Sequence, residues 1–187
     1  MDLFEYILII TSVIFAMAVG QLLLGLVRWA QSTAQVRTYQ PHSVWVAIAF
    51  LMIFANWWAN WEFREIAWTL PTYAYLVVSP TVLFFACGLL LPESFEQQEV
   101  DLEEHFHRVR RPFLAAVFVA LVASLADGAL LGTEPVWHTG RIGHAVMVGA
   151  MLAGIVVEDR RLQAAIAWLV LCGLVWGMTM RLWTPAG

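Results

Sequence analysis

Six stretches of this chain stay apolar for about 20 residues each, the length a helix needs to cross roughly 30 Å of hydrocarbon. They cover residues 3–29, 43–66, 72–91, 112–131, 141–157 and 162–183. The second grades into a polar tail after Trp61, and Ser79-Pro80 interrupts the third. Buried strands of soluble proteins run about 4–8 residues, too short to account for such runs. Only 13% of the 187 residues are charged, against about 25% in a soluble domain. With 61% hydrophobic residues and a mean hydropathy of +0.73, that balance excludes a soluble enzyme, a disordered tail and a nucleic-acid binder. The sequence predicts an all-α polytopic membrane protein, one six-helix domain over residues 1–187 with short connections and no separate soluble domain.

Every basic residue is an arginine; the chain has no lysine and so no Schiff-base chemistry. Connections 1–2, 3–4 and 5–6 hold seven arginines (28, 37, 108, 110, 111, 160 and 161), and the other side holds three (64, 141 and 181). The positive-inside rule then puts both termini outside. Ala16-Met17-Ala18 imitates a signal-peptidase site, but its flank is acidic rather than positive, so the first span reads as a retained helix. Together these features point to an inner (plasma) membrane of bacterial type. Cys87 and Cys172 fall in spans at depths that differ by roughly 9 Å, too far for a disulfide.

Residues 93–111 form the one long charged connection. Leu102, Phe106 and Val109 recur at helical spacing, and Asp101→His105, Glu103→His107 and Glu104→Arg108 are acid-first pairs four apart. This predicts an amphipathic helix on the cytoplasmic membrane surface, with Leu102, Phe106 and Val109 as a docking face. His105 and His107 sit two apart, so on a helix they diverge and make a poor metal pair. The metal question stays open.

An ionisable group inside a span costs about 2.5–3.5 kcal/mol at the bilayer centre, so each one needs a reason. Asn56, Asn60 and Arg64 are spaced four apart and would form one polar stripe on helix 2, beside Trp57, Trp61, Glu65 and Trp68. Asp127 lies roughly 22 Å up helix 4 from Pro112, in the outer third. With Glu5, Glu62, Arg141, His144 and Arg181 these residues collect in the outer leaflet. Glu5, Arg141 and Arg181 are at span ends, where snorkelling explains them, and the tryptophans suit an interfacial belt. Asn56, Asn60 and Asp127 lie deeper. Asp127, Asn60 and Arg64 together imply a buried polar site that is either a structural Asp127–Arg64 pair or a functional cavity. A lone histidine such as His144 serves more often as a helix–helix hydrogen bonder than as a relay.

Small residues at Gly20, Gly25, Gly149, Ala150, Gly154, Gly173 and Gly177 mark close helix approaches, within the chain or between copies. Three spans followed by three also permit an inverted repeat.

The leading expectation is a channel or carrier for an ion or small solute with an outward-facing polar cavity. Its binding groups would be Asn56, Asn60, Glu62, Arg64, Glu65, Asp127 and His144, with Trp57 and Trp61 as walls. The alternatives are a membrane-embedded sensor, scaffold or accessory subunit, and an intramembrane enzyme or lipid- or quinone-binding protein. No catalytic motif is present, and no cofactor is identified: His42, His138 and His144 do not form a facing haem pair. The expected partners are the lipid bilayer and either further copies of the chain or a larger membrane complex, with no nucleic acid.

Overall fold

The computed structural model describes residues 3–96, 98–131 and 139–183. Six helices fill most of it: α1 (Leu3–Gln31), α2 (Gln40–Ala59), α3 (Leu70–Leu90), α4 (Leu102–Leu131), α5 (Thr139–Val156) and α6 (Arg160–Trp183). The α2 helix tightens into a single 3-10 turn at Asn60–Phe63 before the chain reverses. Five of the helices are long and apolar enough to cross a membrane. The apolar part of α5, Ile142–Val156, is shorter. This is an all-α polytopic helical protein with the character of an integral membrane protein.

The helices pack as two layers of three, α1–α2–α6 against α3–α4–α5. Within the layers α2 touches α1 and α6, and α4 touches α3 and α5; across them α1 and α2 meet α3, and α6 meets α5. Inverted repeats would pair α4 with α6 as α1 pairs with α3, yet among the described residues α4 and α6 have no comparable contact. The core is apolar and close-packed, with Leu22, Trp45, Ile48, Leu83, Leu90, Leu114 and Met151 completely covered. Outward faces are apolar too: Leu24, Phe54, Trp58 and Trp176 are all exposed, as a lipid-facing perimeter requires.

Connections 32–39, 91–101 and 157–159 gather at one end, which we call the basic end after its seven arginines. Two short strands, β1 (Gln35–Arg37) and β2 (Glu99–Asp101), pair there in parallel. Parallel pairing follows from topology, because each strand feeds directly into a helix climbing away from that end. Arg37 sits opposite Asp101 in the register and meets its carboxylate at 3.2 Å. Asp101 also accepts from the backbone N–H groups of Glu103 (2.8 Å) and Glu104 (3.2 Å), capping α4. The Glu104 N–H, foremost, holds the Asp101 carboxyl below its ordinary range. Asp159 caps α6 in the same way through Leu162 N–H.

One expectation about this end is corrected. Residues 93–111 are not a separate surface helix: 92–96 are non-helical, 99–101 form β2, and α4 runs unbroken from Leu102 through Pro112. The supposed docking face is already used. Leu102 and Phe106 are fully buried and Val109 is half-buried. The Phe106 ring packs on Tyr39 at 5.8 Å and on His42 at 6.3 Å. An apolar helical face is satisfied by whichever apolar surface reaches it first, and here the start of α2 does. Of the three acid-first pairs only Glu104–Arg108 forms, at 3.1 Å; Glu103 turns to Arg160 and His105 to the Leu89 carbonyl.

Three of the small residues, Gly25, Gly154 and Gly173, serve packing within the chain. A Cβ on Gly25 would lie 2.6 Å from Leu91 Cδ1 and 2.8 Å from its Cβ, and one on Gly154 would meet Leu114 at 3.0 Å. Gly173 faces Met147 of α5, whereas Gly20, Gly149 and Gly177 face open space. Cys87 is buried, Cys172 is exposed, and both thiols are free.

Candidate functional site

A seam of polar side chains crosses three helices in the half of the bundle away from the basic end. Asn56 on α2 and Asn60 at the start of the 3-10 turn are four residues apart, and Tyr75 and Ser79 are one turn apart on α3. The Ser79 hydroxyl donates to Asn56 Oδ1 at 2.9 Å, and Asn56 Nδ2 donates to the Met52 carbonyl at 2.9 Å. One turn toward the opposite end, the Tyr75 hydroxyl reaches Asp127 Oδ1 on α4 at 2.7 Å and also the Ala123 carbonyl. Asn60 is only 5% exposed, and its Nδ2 has no hydrogen-bond partner. The Trp68 indole N–H is likewise buried and unpaired. Ser79 and Tyr75 lie roughly 13 and 7 Å below the start of α3, well inside an apolar layer of this thickness.

Of these residues Asn60 is buried, while Asn56 and Asp127 are half-buried and hydrogen-bonded across helices to Ser79 and Tyr75. Arg64 does not join them. The 3-10 turn advances about 120° per residue where an α-helix advances about 100°, so the stripe rotates off its line after Asn60. Arg64 instead meets Glu65 at 3.3 Å, donates to the Trp61 carbonyl at 3.3 Å, and lies over the Trp61 ring at 5.1 Å. An Asp127–Arg64 ion pair is thus replaced by the Tyr75–Asp127 hydrogen bond.

Glu62 and Glu65 are exposed beside Arg64 at the rim, and His144 is half-buried on α5. Trp57 and Trp61 are corrected from cavity walls to perimeter groups, 45% and 56% exposed. Trp57 ties α2 to α1 through Ser12, and Trp61 packs edge-on against Phe4. The side chains of Arg141, Arg181 and Trp183, and residues Trp137 and His138, lie outside the described residues.

Tyr75 and Ser79 were not singled out as partners from the sequence. Their signal was available: two hydroxyls four apart on an apolar span repeat the Asn56–Asn60 spacing. A second unforeseen feature caps α3 at the basic end. His42 of α2 and His105 of α4 stand 6.2 Å apart, and their Nε2 atoms reach the consecutive carbonyls Leu90 O (2.6 Å) and Leu89 O (3.1 Å). These are helix-terminal carbonyls with no partner inside the helix. Both Nε2 atoms are thereby occupied. Among the described residues, no group of three or more His, Cys, Asp or Glu side chains is placed to hold a metal.

The seam offers a carboxylate, a phenol, a serine hydroxyl and two amides, one with an unspent donor. Such a set can hold a proton, a cation or a small polar solute. The groups toward the basic end of α2, namely Ile48, Ala49, Met52 and Ile53, are apolar and buried, and they close the seam off on that side. Comparison of the chain with family models, with curated proteins and with solved structures returns no match.

Proposed function

We propose that the protein is a small membrane channel or carrier for a proton, a cation or a small polar solute, with the α2–α3–α4 seam as its binding position. The observation that carries this reading is the seam itself: two hydrogen-bonded polar pairs, Asn56–Ser79 and Tyr75–Asp127, contributed by three helices at neighbouring turns of a largely apolar bundle. Polar groups at that depth are expensive unless they serve packing specificity or transport. Asp127 is the ionisable binding group, Tyr75 positions it, and Asn56, Asn60 and Ser79 supply donors and acceptors beside it. The apolar layer of Ile48, Met52 and Ile53 is the barrier a moving solute crosses, so the described arrangement corresponds to a closed state.

The basic end faces the cytoplasm on the arginine asymmetry, and the membrane is the inner membrane of a bacterial-type cell. Several copies acting together fit a channel better than one, because a single bundle of this size encloses little water. The alternative of a sensor or accessory subunit retains one supporting observation. A polar recess of about 470 Å³, lined by Thr33, Ala34, Gln35, Glu96, Gln98 and Glu99, opens at the basic end.

The test is flux into proteoliposomes, read with a pH-sensitive dye for protons and with imposed Na⁺ and K⁺ gradients. Wild type is expected to conduct at least one of them, Asp127→Asn to reduce that flux at least tenfold, and Tyr75→Phe to reduce it less. Arg64→Gln, at the rim, should leave it intact. Equal flux in wild type and Asp127→Asn would refute the assignment of the seam.

A further inference from the structure

Four buried polar atoms at the basic end have no hydrogen-bond partner: Tyr39 Oη, Trp45 Nε1, Arg110 Nε and Gln163 Oε1. All four belong to residues that are 1% exposed or less. They come from three helices: Tyr39 is the N-cap residue of α2 and Trp45 lies on it, Arg110 lies on α4 and Gln163 on α6. Phe106, Arg110 and Phe113 form one stripe of α4, at positions i, i+4 and i+7. The Tyr39 ring rests on Phe106 (5.8 Å) and the Trp45 ring on Phe113 (5.3 Å), so along this stripe Arg110 comes between those two contacts. Gln163 reaches the same place from α6. Its Nε2 donates to Val157 O at 2.7 Å, and Arg110 Nη1 donates to that same oxygen at 3.3 Å. Arg160, one turn before Gln163, lies over the Tyr39 ring at 5.3 Å and ties the third corner.

We infer that this junction is a binding site for one internal water molecule. The donor and acceptor inventory selects the guest. Gln163 cannot turn its amide around, because Nε2 faces two carbonyl oxygens, Gly154 O (2.8 Å) and Val157 O (2.7 Å). Its Oε1 is therefore a fixed acceptor. Arg110 Nε and Trp45 Nε1 are donors only, and the Tyr39 hydroxyl is able to accept. A water molecule accepts from Arg110 and Trp45 and donates to Gln163 and Tyr39, using its four positions once each. Buried waters ordinarily make two to four such bonds.

A halide would be set against Gln163 Oε1. A cation would be set against the Arg110 guanidinium and the indole N–H. The Arg110 charge is in any case already met, through Nη2 to Glu158 Oε1 at 2.9 Å. The water joins α2, α4 and α6 at a point where direct side-chain contacts leave four polar atoms over. This inference does not depend on the transport reading, since none of its residues belongs to the seam.

The protein, deuterated at carbon and carrying ¹⁵N-labelled tryptophan and arginine, is placed in lipid nanodiscs and examined for cross-relaxation with water. The Trp45 indole proton and the Arg110 Nε proton are each expected to show a cross-peak of the sign given by a long-lived bound water, retained in Tyr39→Phe. Absence of the cross-peak at either proton overturns the inference. So does its loss at both in Tyr39→Phe, which would mean that the tyrosine hydroxyl relayed it. An independent readout is the Trp45 indole N–H vibration, taken as the difference between wild type and Trp45→Phe. A hydrogen-bonded value is expected, and a free-indole value overturns the site.

Discussion

Replacing Gly25 by alanine tests how closely α1 lies against the helix that carries Tyr75 and Ser79. The added Cβ would meet Leu91 Cδ1 at 2.6 Å, Cβ at 2.8 Å and Cγ at 3.2 Å. A terminal methyl can rotate aside, but the Leu91 Cβ is fixed to its backbone, so the helix itself has to move. Overpacking of this kind typically costs about 1–3 kcal/mol. Gly20 is the internal control, five residues earlier on the same helix, because a Cβ there meets nothing within 4 Å. Both substitutions share the helix-propensity gain of glycine to alanine, up to about 1 kcal/mol, which cancels when the two are compared.

For a chain of this size 1 kcal/mol moves Tm by about 2–4 °C, so Gly25→Ala should melt about 2–12 °C below Gly20→Ala. Intrinsic tryptophan fluorescence during heating in nanodiscs reads this directly, since the chain has ten tryptophans. Gly177→Ala, also facing open space, should follow the control, and Gly173→Ala should fall between, because the Met147 thioether that it meets can yield. If Gly25→Ala melts together with Gly20→Ala, the close approach of α1 to the α3 terminus is wrong.

Three further outcomes follow from the basic end. Phe106→Ala should destabilise the fold by about 3–5 kcal/mol in thermal or denaturant unfolding, as for a buried aromatic, whereas a docking residue on a free surface would cost little. Glu158→Gln should lower Tm more than Arg111→Gln, because Glu158 is the carboxylate facing the buried Arg110 guanidinium while the Arg111 contact is solvated. Asp101→Ala should cost about 1 kcal/mol at neutral pH through loss of the α4 cap. With its carboxyl held below the ordinary range, the Asp101 contribution is complete above the unfolded-state value of about 4 and fades as pH falls through the lower folded-state value. The Tm difference between wild type and Asp101→Ala should therefore shrink in acid. A difference that stays constant down to pH 2 would show that the charge of the carboxylate contributes nothing.

Helix number and the burial of Asn60 were legible because they follow from local quantities, namely run length and depth along a span. Partners were not. Arg64 looked aligned with Asn60 only on the assumption of an unbroken α-helix, and one 3-10 turn, invisible in composition, rotated it to the rim. Asp127 looked like a partner for arginine because charge suggests charge. Across the packed interface it meets the Tyr75 phenol, and nothing in the spacing of one helix reports which face its neighbour presents. Pro112 looked like the start of a helix, yet α4 passes through it, held on both sides by buried Phe106, Phe113 and Leu114.

By itself, then, the sequence determined that this chain belongs in a bilayer, with its arginine-rich connections together on one side. Hydrophobic length and charge position are one-dimensional properties, and they act before any helix meets another. Only the tertiary structure decided that the apolar face of 102–109 is covered by α2, that the polar residues of the other half divide between an inter-helix seam and an exposed rim, and that four buried polar atoms at the basic end are left without direct partners. Those outcomes depend on rotation and on distances between helices, which packing sets through contacts such as Gly25 against Leu91.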